Sequence, residues 1–200
     1  MKYRFPETKD ASWNSFTRHK ERYEVIRPLL GKNAIGAEIG VYKGGFGEFL
    51  LEHCQTLYLV DPWHLLKPFW GEKRPENSAV RSLINILQVY TEEIEVGRVQ
   101  VVPNFSVPFL KSCKPDTFDW IYLDASHQYE PTLAEIREAL NVIKPGGYLI
   151  GDDYDPDPNS KQHGVYRAVN QVLSERGKYL ALNKNRQWAF QLEENTHYKL

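Results

Sequence analysis

Five short apolar runs, spaced by stretches of helical character, constrain this chain more than any other feature of its sequence. They read AIGAEIGVY, TLYLVDPW, RVQVVPNFS, FDWIYLDAS and YLIGDDY, and each is short enough to be a buried strand. Helix-like segments lie around them. SFTRHKERYEVIRPLL comes first, with Pro28 near its end. EFLLEHC follows the first run, and a helix from about Ala79 to Ile94 follows the second. PTLAEIREALNVI sets Leu133, Ile136, Leu140 and Ile143 on one stripe and stops at KPGG, and GVYRAVNQVLSERG follows the fifth run. KYLALNKNRQWAFQLEE closes the chain as two strands about a polar turn at Asn183–Arg186. Strand–helix alternation of this kind predicts an α/β fold. The expected architecture is a Rossmann-like, doubly wound, mostly parallel seven-stranded sheet with helices on both faces and a C-terminal antiparallel hairpin. One domain covers residues 1–200, with an N-terminal helical segment at 1–33. Residues 62–98 form a lid or insertion: Trp63 to Trp70 with Lys67, Lys73 and Arg74 either cover an acceptor or finish the core as a surface excursion.

In such a sheet, ligands sit beyond the carboxyl ends of the strands, near the point where strand order reverses. The unusual polar residues of this sequence fall at those ends. Glu38 lies in the first strand with Gly40 beginning the turn after it, and Asp61 ends the second strand. Asn104 and Ser106 follow the third, Asp124 ends the fourth, and Asp152 with Asp153 end the fifth. One such acid is commonly a helix cap, but acids at four strand ends would crowd one rim with like charge, which points to a shared pocket.

The first turn, EIGVYKGGFG, lacks both the GxGxxG spacing that seats a pyrophosphate and the GK[ST] of a Walker loop. A nicotinamide dinucleotide is therefore disfavoured. Asp61, about 20 residues beyond the turn, is at the offset that serves a ribose diol. Its alternative is a loop cap above a turn that only permits packing. Asp124 and the Asp152–Asp153 pair lie at the tips of strands expected to be neighbours, about 4.8 Å apart. Carboxylates that close repel one another, and a hard divalent ion such as Mg²⁺ relieves them. The competing reading of DDYDPDPNS is a solvated loop. His127, three residues after Asp124, has the residue type of a general base, with an ordinary pKa near 6.5. It can equally be a structural donor near a helix start, and His163 is a second candidate on the same rim.

The composition is that of an ordinary globular protein, 42% hydrophobic with a net charge of −1, which gives no reason to expect nucleic acid as a partner. Cys54 and Cys113 read as free thiols. MKYRFPETKD has no signal-peptide core, and no apolar run approaches the roughly 20 residues of a membrane span, so a cytoplasmic location without membrane partners is expected.

EIGVYKGGFGEFL, LYLVDPW, FDWIYLDASHQYE and IKPGGYLIGDDYD together resemble the class I S-adenosylmethionine-dependent methyltransferases (EC 2.1.1.-), and more narrowly the small branch of macrocin-type sugar O-methyltransferases. The likeness runs from about Ala34 to Leu192. It implies that Glu38, Gly40, Val41, Tyr42 and Gly44 lie at the methionine part of the cofactor. Asp61 would then hold the ribose hydroxyls, and Ser106 would lie near the adenine. It also implies a divalent cation, Mg²⁺ or another, at Asp124, Asp152 and Asp153, with Asp124 and His127 in catalysis. The acceptor so implied is a hydroxyl on a small molecule or sugar. A catalytically silent cofactor-binding module of the same fold is the alternative, and homo-oligomerisation stays open.

Overall fold

The computed structural model describes residues 4–5, 15–63, 78–176 and 186–193. Helix α1, Phe16–Ile26, is capped by Ser15, whose Oγ accepts from the Arg18 amide at 3.2 Å. Pro28 has no amide hydrogen to continue the ladder, and the chain tightens into a 3₁₀ turn at Arg27–Leu29. Strand β1, Ala34–Ile39, leads through the glycine turn to the short helix α2, Gly47–Leu51. The helix expected over EFLLEHC thus ends early, and Cys54 already belongs to β2, Cys54–Asp61.

The expected helix from Ala79 to Ile94 is two helices, α3 at Ser78–Val89 and α4 at Thr91–Glu95. They part at Tyr90, whose fully buried ring turns inward to donate its hydroxyl to the Gly44 carbonyl at 2.9 Å. β3, Val99–Pro103, is followed by α5, Ser106–Ser112, a helix that the apolar pattern did not announce. β4, Phe118–Leu123, then precedes α6, Tyr129–Val142. Ile143 belongs not to the α6 stripe but to β5, Ile143–Gly151. The Pro145-Gly146-Gly147 stretch is an irregularity inside that strand, where a Cβ on Gly147 would stand 2.6 Å from the Asp119 carbonyl. α7, His163–Arg176, and β6, Trp188–Gln191, complete the described chain.

The sheet order is β3-β2-β1-β4-β5-β6, all parallel except β6, which runs antiparallel to β5. The described residues hold six strands. The first strand of the expected hairpin, about residues 178–182, lies outside them, as do Lys67, Lys73 and Arg74. Order reverses between β1 and β4, whose tips carry Gly40 and Asp124.

The central strands β1 and β4 are buried on both faces, and the period of two divides their side chains between two cores. Trp120 and Tyr122 pack with α1, α2 and α3 through Ile26, Phe49, Leu50 and Ile86. Ile121 and Leu123 pack with α6 and α7 through Ile136, Ala139, Val165 and Val169. Each fully buried Ile, Leu or Val here contributes roughly 1.5–3 kcal/mol. The effect is to fix the strand tips, and the side chains they carry, on a rigid base.

Candidate active site

The glycine turn is fixed by its contact with the neighbouring loop. Gly40 has φ +91°, and a Cβ there would lie 2.0 Å from the Asp124 carbonyl oxygen, so only glycine lets the turn approach β4. Tyr42 holds a left-handed φ of 52° in the same turn, and Gly44 one of 83°. Asp61 locks it: Oδ2 accepts from the Val41 and Tyr42 amides at 3.1 and 3.0 Å, while Oδ1 accepts from the Trp63 amide at 2.9 Å. A carboxylate offers about four acceptor positions, so one on Oδ1 is left for a further donor. Burial pushes the Asp61 carboxyl up, and the three amides hold it down. Trp63, 1% exposed, donates its indole N–H to the Tyr42 carbonyl at 2.8 Å. That tryptophan therefore finishes the core beside the turn, while Trp70 lies outside the described residues.

Beneath the turn, Glu38 is buried, and its Oε2 has no hydrogen-bond partner among the described residues. Burial, with Asp124 and Asp61 nearby, drives its carboxyl well above the usual range. After β3, Ser106 at the start of α5 donates its hydroxyl to Glu135 Oε1 at 2.6 Å. Glu135 projects from α6, and burial raises its carboxyl to about 6.

The acids after β4 and β5 do converge, but they divide into two sets. His127 Nε2 lies 3.0 Å from Asp153 Oδ2 and 3.8 Å from Asp124 Oδ1. Donor atoms of Asp124, His127 and Asp153 all lie within 4.8 Å of one another. Hydrogen bonding to Asp124 and Asp153 raises the His127 imidazole to about 10 against the opposing effect of burial, so at neutral pH it carries a proton. Asp152 is turned elsewhere. Its carboxylate meets Arg22 Nη2 and the Gln187 amide, and Gln187 in turn accepts the Tyr122 hydroxyl at 2.8 Å. Arg22, buried and reaching in from α1, also donates Nη1 to Asp124 Oδ2 at 3.1 Å. Burial pushes the Asp152 carboxyl up to about 7 in spite of Arg22, and Asp124 and Asp153 add to the rise. His163 begins α7, stacks on Tyr166 at 5.3 Å and sits 3.3 Å from the Asp155 carbonyl, outside the Asp124–His127–Asp153 set.

A model of the methyltransferase domain family matches residues 37–154, more than half of the chain. The chain belongs to that family. Its fold is that of the class I S-adenosylmethionine-dependent methyltransferases. A Corynebacterium glutamicum protein of known structure superposes with TM-score 0.65 at 14% identity, covering 88% of this chain and 82% of its own. The N-methyltransferase NodS from Bradyrhizobium japonicum gives 0.59 at 19% identity, covering 88% and 96%. The O-methyltransferase TomG from Streptomyces achromogenes, solved with S-adenosylmethionine, gives 0.58 at 17% identity, covering 90% and 81%. An uncharacterised protein, R132, of Acanthamoeba polyphaga mimivirus is 33% identical over 149 residues, 71% of this chain. The chain spans about three fifths of that viral relative's length, 61%.

In this methyltransferase domain, the structure draws several of the residues singled out in the sequence together near the tips of β1, β2, β4 and β5, while Asp152 turns to Arg22 and Ser106 bonds to Glu135. Glu38, Gly40, Val41, Tyr42, Gly44 and Asp61 form the turn and its anchor, and Asp124, His127 and Asp153 face one another beside it. Arg22, Glu135 and Gln187 were not visible from sequence. Arg22 is one of several basic residues on α1, and nothing in their spacing marks it as the one that reaches the strand tips. Glu135 directly precedes Ile136 of the apolar stripe on α6, and that position is the one sequence signal that could have marked it as a buried acid.

Proposed function

We propose that this chain transfers the methyl group of S-adenosylmethionine to a hydroxyl of a small molecule or sugar, with a divalent cation at Asp124 and Asp153 and His127 handling the proton. The observation that carries the reading is the Asp124–His127–Asp153 set, placed against the glycine turn through Gly40. The turn fits the cofactor's methionine end. It offers no phosphate cradle, and the buried Glu38 oxygen without a partner gives the surroundings a polar acceptor. The spare acceptor position on Asp61 Oδ1 fits a ribose hydroxyl.

In the transfer, a lone pair of the acceptor oxygen attacks the methyl carbon, and the carbon–sulfur bond breaks with its electrons going to sulfur. The hydroxyl proton passes to His127 Nε2. That nitrogen is protonated while Asp124 and Asp153 hold it, so the base form needs their charge to be drawn off. Asp124 and Asp153 would hold a divalent cation, which would supply that charge and polarise the hydroxyl. Two carboxylates suit Mg²⁺ or Mn²⁺. Asp152, held by Arg22 and Gln187, takes no part in this donor set.

A second reading has its own observation. Arg22 and protonated His127 already neutralise much of the acid cluster, so a silent cofactor-binding module would be stable as it stands. Transfer of a labelled methyl group to a panel of hydroxyl acceptors, with Mn²⁺ or Mg²⁺ and with a chelator, separates the two. The proposal expects product that depends on the cation and is lost in Asp153→Ala. No product from any acceptor, with the cofactor bound, favours the silent module.

A further inference from the structure

Arg22 comes from helix α1, outside the strand–helix units that build the pocket, yet its guanidinium bridges the tips of β4 and β5. One Nη donates to Asp124 and the other forms an ion pair with Asp152, and both the Arg22 and the Asp152 side chains are buried. Asp152, whose side chain is 0% exposed, has its second oxygen taken by Gln187. These contacts face Asp152 away from His127. Asp153, one residue on, adopts a left-handed φ of 64° and turns its carboxylate to His127 instead.

We infer that Arg22 is a positioning residue that decides which acids of the cluster are open to a cation: it withholds Asp152 and leaves Asp124 and Asp153. The inference rests on the cation-assisted reading above only for the identity of the site. Two physical effects support it. A guanidinium forked across two carboxylates fixes both in orientation as well as in charge, which a single ammonium cannot do. A fixed positive charge on Asp124 also repels a second cation approaching the same carboxylate, and in a buried site that repulsion is weakly screened. Removing Arg22 should therefore free Asp152, strip the repulsion and strengthen cation binding at the rim.

The test is a calorimetric Mn²⁺ titration of the full chain saturated with S-adenosylhomocysteine, for wild type, Arg22→Gln, Asp152→Asn and the double variant, with melting temperatures alongside. Arg22→Gln is expected to bind Mn²⁺ roughly tenfold tighter than wild type or more. The double variant is expected to lose most of that gain and keep only the part owed to the missing Arg22 charge, because the freed Asp152 carboxylate provides the rest. Arg22→Lys keeps the charge but reaches one carboxylate, so it should show a smaller gain, and it serves if Arg22→Gln does not fold. Equal Mn²⁺ affinity in wild type and the Arg22 variants overturns the assignment, as does a gain that persists undiminished in the double variant. The two claims fail separately. If wild type binds no Mn²⁺ while Arg22→Gln gains an Asp152-dependent site, cation assistance fails and the role of Arg22 stands. If wild type binds Mn²⁺ and Arg22→Gln binds it equally, the reverse holds.

Discussion

Replacing Asp153 with asparagine should return the His127 imidazole towards neutrality. In the wild type, the two carboxylates at 3.0 and 3.8 Å raise it from 6.5 to about 10. At 1.36 kcal/mol per pH unit, that corresponds to roughly 4–5 kcal/mol of preference for the protonated ring, as an order of magnitude. One close opposite charge is worth about 1–3 pH units, so Asp153→Asn should bring the imidazole down to roughly 8. The linkage has a definite sign. A folded-state value above the unfolded one makes the ion pair stabilising in full below pH 6.5, and that stability is lost as pH rises through 10. The melting temperature of wild type should therefore fall from pH 7 to pH 10 more steeply than that of Asp153→Asn. The direct assay is the pH dependence of the imidazole Cε1–H resonance in chelator-treated protein, with His127→Gln to assign the signal among the six histidines. A wild-type midpoint near 6.5, or the same midpoint in both proteins, refutes the reasoning.

Other substitutions test the turn and the frame beneath it. Gly40→Ala must adopt a left-handed φ and drive a methyl into the Asp124 carbonyl, so cofactor affinity measured by calorimetry should fall at least about a hundredfold. Asp61→Asn removes the charge that gathers three amides and should cost about 1–3 kcal/mol in a urea melt, with weaker cofactor binding. Ile136→Ala, in the fully buried core under the sheet, should cost about 2–5 kcal/mol by the same melt and leave cofactor affinity nearly unchanged.

The parts of this fold that were legible in the sequence are those set by local pattern. The apolar runs became β1 to β5, and the acids stood at their tips because strand ends beside a switch point are where polar side chains can face a ligand. What could not be read was set by tertiary contact. The break at Tyr90 depends on a hydroxyl reaching the Gly44 carbonyl from another element. α5 is short, and its apolar residues Phe109 and Leu110 are indistinguishable in pattern from a buried loop. The grouping of three acids about one ion assumed that their charge had no other partner. The sequence carried no sign that Arg22, roughly a hundred residues away from Asp124, would supply one. Side-chain direction was the other gap. Adjacent residues Asp152 and Asp153 point to different partners because of a single left-handed backbone angle, which no spacing rule encodes.

The central claim is tested most directly by titrating the purified protein with S-adenosylhomocysteine in a calorimeter and then titrating Mg²⁺ or Mn²⁺ into that complex. The account predicts micromolar cofactor binding, weakened by Asp61→Asn, followed by a cation event that disappears in Asp153→Ala. A protein that is folded but takes up no S-adenosylhomocysteine contradicts it.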